Sequence, residues 1–191
     1  MRVSEMNLIL AALLALVAGS AHAADCPSDP APFIKLDYPA FSERLYALDR
    51  NACLPQMRDL LHEYREARKK DLSSGQYRLL TWQEGTVRAE MGDNFTALPL
   101  LSAWLDDPTP AIRDYAAATI AFLQRDKPAL LAARDKLIAE PKPDGFDERA
   151  IRQKWPLNLV IVDAFVGCWD RPYAEAYASD ECTALGEKAR Q

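Results

Sequence analysis

Histidine and glycine are scarce in this chain of 191 residues, and several motifs typical of catalytic sites are missing. There are two histidines and seven glycines. The sequence contains no Gly-x-Ser-x-Gly nucleophile elbow and no glycine-rich phosphate loop. It also contains no Cys-x-x-Cys pair, which disfavours a thiol–disulfide oxidoreductase. No run of β-branched residues alternates with a period of two, so we expect no β-strand.

A catalytic metal site has equally little support. His62 is the only histidine beyond residue 23 and lies in His62-Glu63-Tyr64-Arg65-Glu66, on a predicted helix. A metalloprotease helix needs two histidines four residues apart, so that both bind one zinc ion. The second position here is Glu66. We therefore expect no metal and no cofactor, and we interpret His62 as part of a solvated helix face.

Residues 1–23 have the features of a secretory signal peptide. An apolar run from Leu8 to Val17 is followed by Ala21-His22-Ala23, which places small residues at positions −3 and −1. This pattern predicts cleavage between Ala23 and Ala24. The apolar run is too short to serve as a membrane-spanning anchor. We therefore expect a periplasmic or secreted protein without a stable membrane anchor.

All four cysteines follow the predicted cleavage site: Cys26, Cys53, Cys168 and Cys182. An even number of cysteines in an exported chain predicts two disulfides. Four cysteines allow three connectivities. We favour Cys26–Cys53 and Cys168–Cys182, because each pair closes a local loop at one end of the chain. The alternative is that the thiols are free and buried.

The remaining residues are enough for one domain with a substantial core. We divide them into an extended, proline-rich N-terminal arm (24–40) and a single helical domain (41–191). The net charge is −5, with both signs interspersed along the sequence. This distribution shows no basic patch for nucleic acid, so no nucleic-acid partner is expected.

Apolar residues recur at helical spacing through most of the chain. One amphipathic stretch begins at Phe41 and ends near Asp49. A second begins around Pro55, a residue suited to the first turn of a helix, and ends in the charged run 65–70. Ser73-Ser74-Gly75 is the clearest break in the sequence.

Two segments 34 residues apart share one pattern, which is a helix of small residues, a polar turn, a second helix and a proline at the exit. The first segment runs from Thr81 to Pro108 and the second from Tyr115 to Pro143. In the first, Gly85 and Gly92 are seven residues apart, and Ala97 is the small residue at the helix crossing. These features resemble the tetratricopeptide repeat. The second segment departs from the pattern, with Thr119, Asp126 and Leu131 at the corresponding positions.

The resemblance implies an all-α fold of stacked antiparallel helical hairpins, a short α-solenoid like that of tetratricopeptide proteins. A third hairpin is indicated by Asp170-Arg171-Pro172, which resembles Asp126-Lys127-Pro128. With an N-terminal hairpin, the chain would contain four helix pairs. The proline-rich segment 141–146 would form a surface loop between the second and third repeats.

The resemblance also implies a surface for partners, because in that family the first helix of each pair lines the concave face. Arg113 could bind a carboxylate. An alternative is that this face packs on another helix and leaves no open groove. Carried onto this chain in steps of 34, the candidate partner-binding residues are Trp82, Glu90, Arg113 and Gln124.

The sequence therefore favours an exported, non-enzymatic module that binds a protein or peptide partner. An alternative is a periplasmic inhibitor or immunity protein directed against a secreted toxin or hydrolase, since an acidic surface favours a basic target. A third possibility is a helical cell-wall hydrolase that uses Asp59, Glu63 or Glu66. No complete catalytic set supports that possibility. The oligomeric state is not predicted.

Overall fold

The computed structural model describes residues 26–151, 154–177 and 179–189, and within these ranges the protein is all-helical. The predicted signal peptide and its cleavage site lie outside the described residues. Eleven helices and no strand occur in the described part of the chain. The helices are α1 (Ala31–Ile34), α2 (Tyr38–Tyr46), α3 (Arg50–Ala67), α4 (Ser74–Glu90), α5 (Asn94–Ser102), α6 (Pro110–Leu123), α7 (Lys127–Ala139), α8 (Glu148–Ile151), α9 (Leu159–Gly167), α10 (Tyr173–Ala176) and α11 (Asp180–Lys188).

Most of the longer helices begin at a polar side chain that accepts a hydrogen bond from a backbone N–H of the first turn. At the predicted break, the Ser73 hydroxyl and the Gln76 side chain form a reciprocal capping box that starts α4. The sequence breaks therefore fall where the helices begin because their polar residues satisfy otherwise unpaired amides. The other side-chain caps are Asp37 (α2), Asp49 (α3), Asp93 (α5), Asp126 (α7) and Ser179 (α11).

The predicted extended arm is wrong for most of its described part. Residues 31–34 form α1, and α2 begins at Tyr38, within the segment expected to be extended. Phe33 of α1 is buried in the core beside Phe41 and the residues of α3. Proline occupies the first turn of both helices. It is compatible with helix there, since the first-turn amides have no partner within the helix.

Helix α4 joins two hydrophobic clusters into one domain. The N-terminal cluster combines residues of α1, α2 and α3 with Leu80 and Val87 of α4. The C-terminal cluster combines residues of α5, α6, α7, α9 and α11 with Trp82 and Ala89 of the same helix. Because α4 presents apolar side chains in both directions, the two clusters share one central helix.

Packed helix pairs build the rest of the fold. Helix α4 packs on α3 and α5, α6 packs on α7, and α9 packs on α11. These contacts confirm the predicted all-α arrangement of helical hairpins. The third pair differs from its prediction, since α10 has only four residues and the partner of α9 is α11. None of the helices in the described ranges is both long and apolar enough to cross a membrane.

The two central pairs are related by a step of 33 residues and not 34. Asp93 caps α5 and Asp126 caps α7, and these residues are 33 apart. The residues before them, Gly92 and Arg125, both have a positive φ. The predicted step is therefore wrong by one residue at the turn. The cap and the left-handed turn residue determine where the second helix begins, and the similarity of alanine-rich stretches does not.

Both favoured disulfide pairings are confirmed. Cys26 is bonded to Cys53, which ties the segment before α1 to α3. Cys168 is bonded to Cys182, which ties the end of α9 to α11. There is no free cysteine in the described part of the chain. The second disulfide encloses α10, a short helix that packs against α4.

Candidate functional site

The largest concave feature is a groove of about 550 Å³ on one side of α4. Its walls come from α2, α3, α4 and α6, from the turn after α5, and from the segments that precede α9 and follow α10. Residues far apart in sequence therefore form one surface. The lining residues are Leu45, Tyr46, Leu48, Arg50, Met57, Leu61, Leu79, Trp82, Gln83, Thr86, Trp104, Tyr115, Asn158, Ile161 and Tyr177.

One wall of the groove is a fixed aromatic surface. The rings of Trp82 and Trp104 have centroids 4.7 Å apart, and those of Trp82 and Tyr115 are 5.3 Å apart. The indole N–H of Trp104 donates to the Arg78 carbonyl at 3.0 Å. Gln83 donates through Nε2 to the Tyr46 hydroxyl at the mouth of the groove. These contacts hold the wall in one arrangement before any ligand is bound, which reduces the ordering that binding requires.

An ion pair lies at the polar end of the groove. Arg50, the first residue of α3, donates from Nε to both carboxylate oxygens of Glu90 at 3.1 and 2.9 Å, and from Nη2 at 2.5 Å. The Glu90 side chain is only 10% exposed, whereas that of Arg50 is 38% exposed. Glu90 lines a smaller cavity of about 160 Å³ on its own side of the pair. The groove is therefore in contact with the arginine, and the carboxylate lies behind it.

Three tyrosines surround this ion pair. Burial raises the pKa of Tyr115, Tyr173 and Tyr177, and interactions among the three side chains contribute to several of these shifts. The rings of Tyr173 and Tyr177 are stacked with centroids 5.2 Å apart. Since their pKa values lie above the usual value of about 10, the hydroxyls remain protonated and can donate hydrogen bonds at neutral pH.

These pKa shifts predict a loss of stability at alkaline pH. A tyrosine in the unfolded chain ionises near pH 10, whereas Tyr115 and Tyr173 ionise at higher pH when folded. Below about pH 10 both states bind the proton, so the contribution is constant. Above it the unfolded state gives up protons first, and the free energy of unfolding falls. We expect the urea midpoint to drop between pH 8 and pH 11, with tyrosinate absorbance appearing only on unfolding.

Tyr173→Phe provides the matched control for this pH effect. The Tyr173 hydroxyl is buried and has no hydrogen-bond partner in the described part of the structure. Its removal therefore costs little at neutral pH and removes one ionisable group from the core. We expect the variant to lose less stability than the parent protein at pH 11. An unchanged midpoint in the parent, or tyrosinate formation in the folded protein, would contradict the prediction.

The candidate partner-binding residues lie in different environments. Trp82 is 7% exposed and forms part of the groove wall, and Glu90 is paired with Arg50 behind the polar end. Arg113 and Gln124 are both exposed and lie outside the groove lining. A step of 33 residues from Trp82 leads to Tyr115, which does line the groove. The error of one residue in the register therefore explains the placement of Arg113 and Gln124. Partner binding by these residues stays a prediction.

Sequence reasoning missed Arg50 and Tyr177 as residues of the groove. Arg50 follows the Asp49 cap, and its partner Glu90 is 40 residues further along the chain. Tyr177 reaches the groove from the C-terminal part of the fold, where α10 packs against α4. No local motif marks either residue. The tyrosines around Asp170-Arg171-Pro172 were treated only as the start of a third hairpin.

His62 belongs to a separate cluster on α3 and α4. Its Nδ1 lies 3.3 Å from Oε1 of Glu84, a buried carboxylate that also pairs with Arg65 and Arg88. The cluster therefore contains one acid among three basic side chains. Across the described ranges, no group of three or more histidine, cysteine, aspartate and glutamate side chains could hold a metal ion.

Comparison of the chain with protein-family models, with curated proteins and with solved structures finds no match. The assignment of a function therefore depends on the geometry of the groove. That geometry combines an apolar and aromatic wall, a few hydrogen-bonding groups and one cation.

Proposed function

We propose that the protein is an exported, non-enzymatic binding module that holds a segment of a protein partner in the groove beside α4. The observation that carries this proposal is the groove itself, a concavity of about 550 Å³ with a mostly apolar lining. Ligand sites in proteins commonly have about 300–1,000 Å³ and a few placed polar groups within an apolar lining. The groove fits that description.

The distribution of polar groups suits a peptide segment. A bulky apolar side chain would fill the space between Leu45, Met57 and Leu61, in the manner of an anchor residue at a protein interface. Gln83 and Asn158 are partly exposed and carry amide groups that could pair with the backbone of the peptide. Such pairing would satisfy peptide groups that lose water on binding.

The cellular compartment forms part of the proposal. The apolar run and small-residue site in residues 1–23 are typical of an exported chain. The two disulfides are compatible with an oxidising compartment, where such bonds persist. The proposed partner is therefore a protein of the periplasm or the exterior, and the candidate inhibitor role would be one instance of such binding.

Photo-crosslinking from the groove would test the proposal. Tyr46 is 69% exposed and lines the groove, whereas Phe95 is 92% exposed and lies outside its lining. We would replace each residue in turn by benzoylphenylalanine, irradiate the protein in its native envelope and identify the adducts by mass spectrometry. The expected result is one dominant protein adduct from position 46 that is absent from position 95.

A second pair of variants would show whether that adduct depends on the groove. Leu79→Trp would partly fill the groove without changing the charge, and we expect it to abolish the adduct from position 46. Leu131→Trp is the matched control, because Leu131 is a partly exposed residue of α7 away from the groove. Equal adducts from positions 46 and 95, or an adduct that survives Leu79→Trp in a folded protein, would overturn the proposal.

A further inference from the structure

The groove contains one charge, and that charge is positive. Among the described residues that line it, Arg50 is the only charged one. Its counter-ion, Glu90, lines the smaller cavity on the opposite side of the pair and is not part of the groove lining. A ligand in the groove would therefore approach a cationic group from its open side.

Glu90 orients this cation and leaves part of it available. The carboxylate uses Nε and Nη2 of Arg50, so Nη1 is not bonded to Glu90. A guanidinium held on one edge can donate a charge-assisted hydrogen bond from the other. The hydroxyls of Tyr115 and Tyr177, which belong to the same end of the groove, remain protonated because their pKa values are raised by burial.

The rest of the groove is complementary to a hydrocarbon. Eight of its lining residues are large and apolar, and they come from helices on several sides of the cavity. An extended polar ligand would lose water there without gaining hydrogen bonds, which is unfavourable. A hydrocarbon chain gains free energy from each methylene group that it buries. These residues are Leu45, Leu48, Met57, Leu61, Leu79, Trp82, Trp104 and Ile161.

We propose that the groove binds an amphipathic monocarboxylate, with its single carboxylate at Arg50 and its hydrocarbon body against the apolar wall. The inference goes beyond the peptide-binding proposal and does not depend on it. Such an acid would occupy the space assigned to the apolar side chain of the partner. It would therefore compete with the partner for the groove.

Charge distinguishes this ligand from its alternatives. An ammonium compound would place a like charge beside Arg50, which is unfavourable. A phosphate or dicarboxylate would bring two negative charges close to Glu90, whose carboxylate already balances the arginine. A neutral alcohol would keep the hydrocarbon contacts and lose the charge-assisted hydrogen bond. One negative charge on a hydrocarbon is therefore the best match.

Titration with decanoate, with 1-decanol as the uncharged analogue, tests the proposal on the oxidised full chain. Trp82 and Trp104 line the groove, so their fluorescence reports occupancy, and calorimetry gives the stoichiometry. We expect one decanoate per chain, bound about tenfold to a hundredfold more tightly than decanol, since hydrogen bonds to charged groups have this strength. Equal affinity for the two compounds, or no binding of decanoate, would overturn the proposal.

Three variants separate recognition by Arg50 from a loss of folding. Arg50→Gln should remove the preference for decanoate, whereas Arg44→Gln, which removes an exposed charge from α2 outside the groove lining, should keep it. Arg50→Gln also leaves Glu90 without its partner. In Arg50→Gln with Glu90→Gln no charge is left unpaired, and this double variant should bind decanoate and decanol equally.

Glu90→Gln provides an increase in affinity that a misfolded protein could not produce. Removing the carboxylate frees Arg50 from its internal counter-ion, so we expect decanoate to bind several-fold more tightly. Unchanged or weaker binding in a folded Glu90→Gln protein would contradict the role given to Arg50. Failure of this experiment with a persistent crosslinked partner would reject the carboxylate site alone. Decanoate binding without a crosslinked partner would reject the peptide proposal alone.

Discussion

Replacing Gly186 by alanine is expected to destabilise the protein by about 3 kcal/mol, at the upper end of overpacking effects. Gly186 lies within α11, and a Cβ placed on it would overlap the backbone carbonyl of Asp163 on α9. The overlap is with backbone atoms, which cannot rotate aside. In the reciprocal direction, a Cβ on Gly167 would overlap the carbonyl of Cys182. The two helices are therefore in direct backbone contact at both glycines.

Displacement of α11 would also break a buried polar contact. Arg134 of α7 donates from Nη2 to the Gly186 carbonyl at 2.7 Å and from Nε to Asp163 at 2.8 Å. The arginine and the aspartate are 5% and 1% exposed. Because one guanidinium holds both helices, a shift of α11 by the width of a methyl group would weaken the packing and this hydrogen bond together.

Gly75→Ala is the matched control for Gly186→Ala. Gly75 is also a helical residue, in the first turn of α4, but no atom lies within 4 Å of a Cβ placed there. Alanine is favoured over glycine in helices by up to about 1 kcal/mol, so Gly75→Ala should be neutral or stabilising. Urea unfolding followed by circular dichroism, with the disulfides intact, would give both values. The packing argument fails if Gly186→Ala is as stable as the parent protein.

Most helix boundaries could be predicted because the signals that set them are local. The apolar spacing after Phe41 and the break at Ser73 depend on residues within one or two turns of each other. The disulfide pairings were predictable for a related reason, since each joins cysteines that are close in sequence, 27 and 14 residues apart. The extended arm was an error because prolines were interpreted as evidence against helix, although Pro32 and Pro39 lie in first turns.

The groove could be predicted only in part, because long-range packing assembles it. The first helix of the central hairpin does line it, as the resemblance implies, through Leu79, Trp82 and Thr86. The pairing of Arg50 with Glu90 depends on how α3 crosses α4, and the position of Tyr177 depends on how α10 folds back. Neither crossing is encoded in a local pattern. A register error of one residue is also enough to turn a helical side chain by about 100°.

The second large effect is expected at Glu84, whose replacement by glutamine should destabilise the protein by about 3–5 kcal/mol, as breaking a buried ion pair typically does. Glu84 is 1% exposed. Its Oε2 accepts from Arg65 at 2.9 Å and its Oε1 accepts from Arg88 at 2.9 Å. Glutamine has the same shape, but its amide would direct N–H groups toward one of the two guanidinium groups. The buried Arg65 charge would then be poorly compensated.

Glu66→Gln tests whether this loss comes from burial and not from the ion pair as such. Glu66 pairs with the same arginine at 3.0 Å, but its side chain is 45% exposed. Exposed ion pairs contribute at most about 1 kcal/mol, because water and salt screen them. Equal losses of unfolding free energy for Glu66→Gln and Glu84→Gln, measured by urea denaturation at neutral pH, would contradict this account. A large loss at Glu84 alone would identify its carboxylate as the electrostatic link between α3 and α4, the two helices that form one side of the groove.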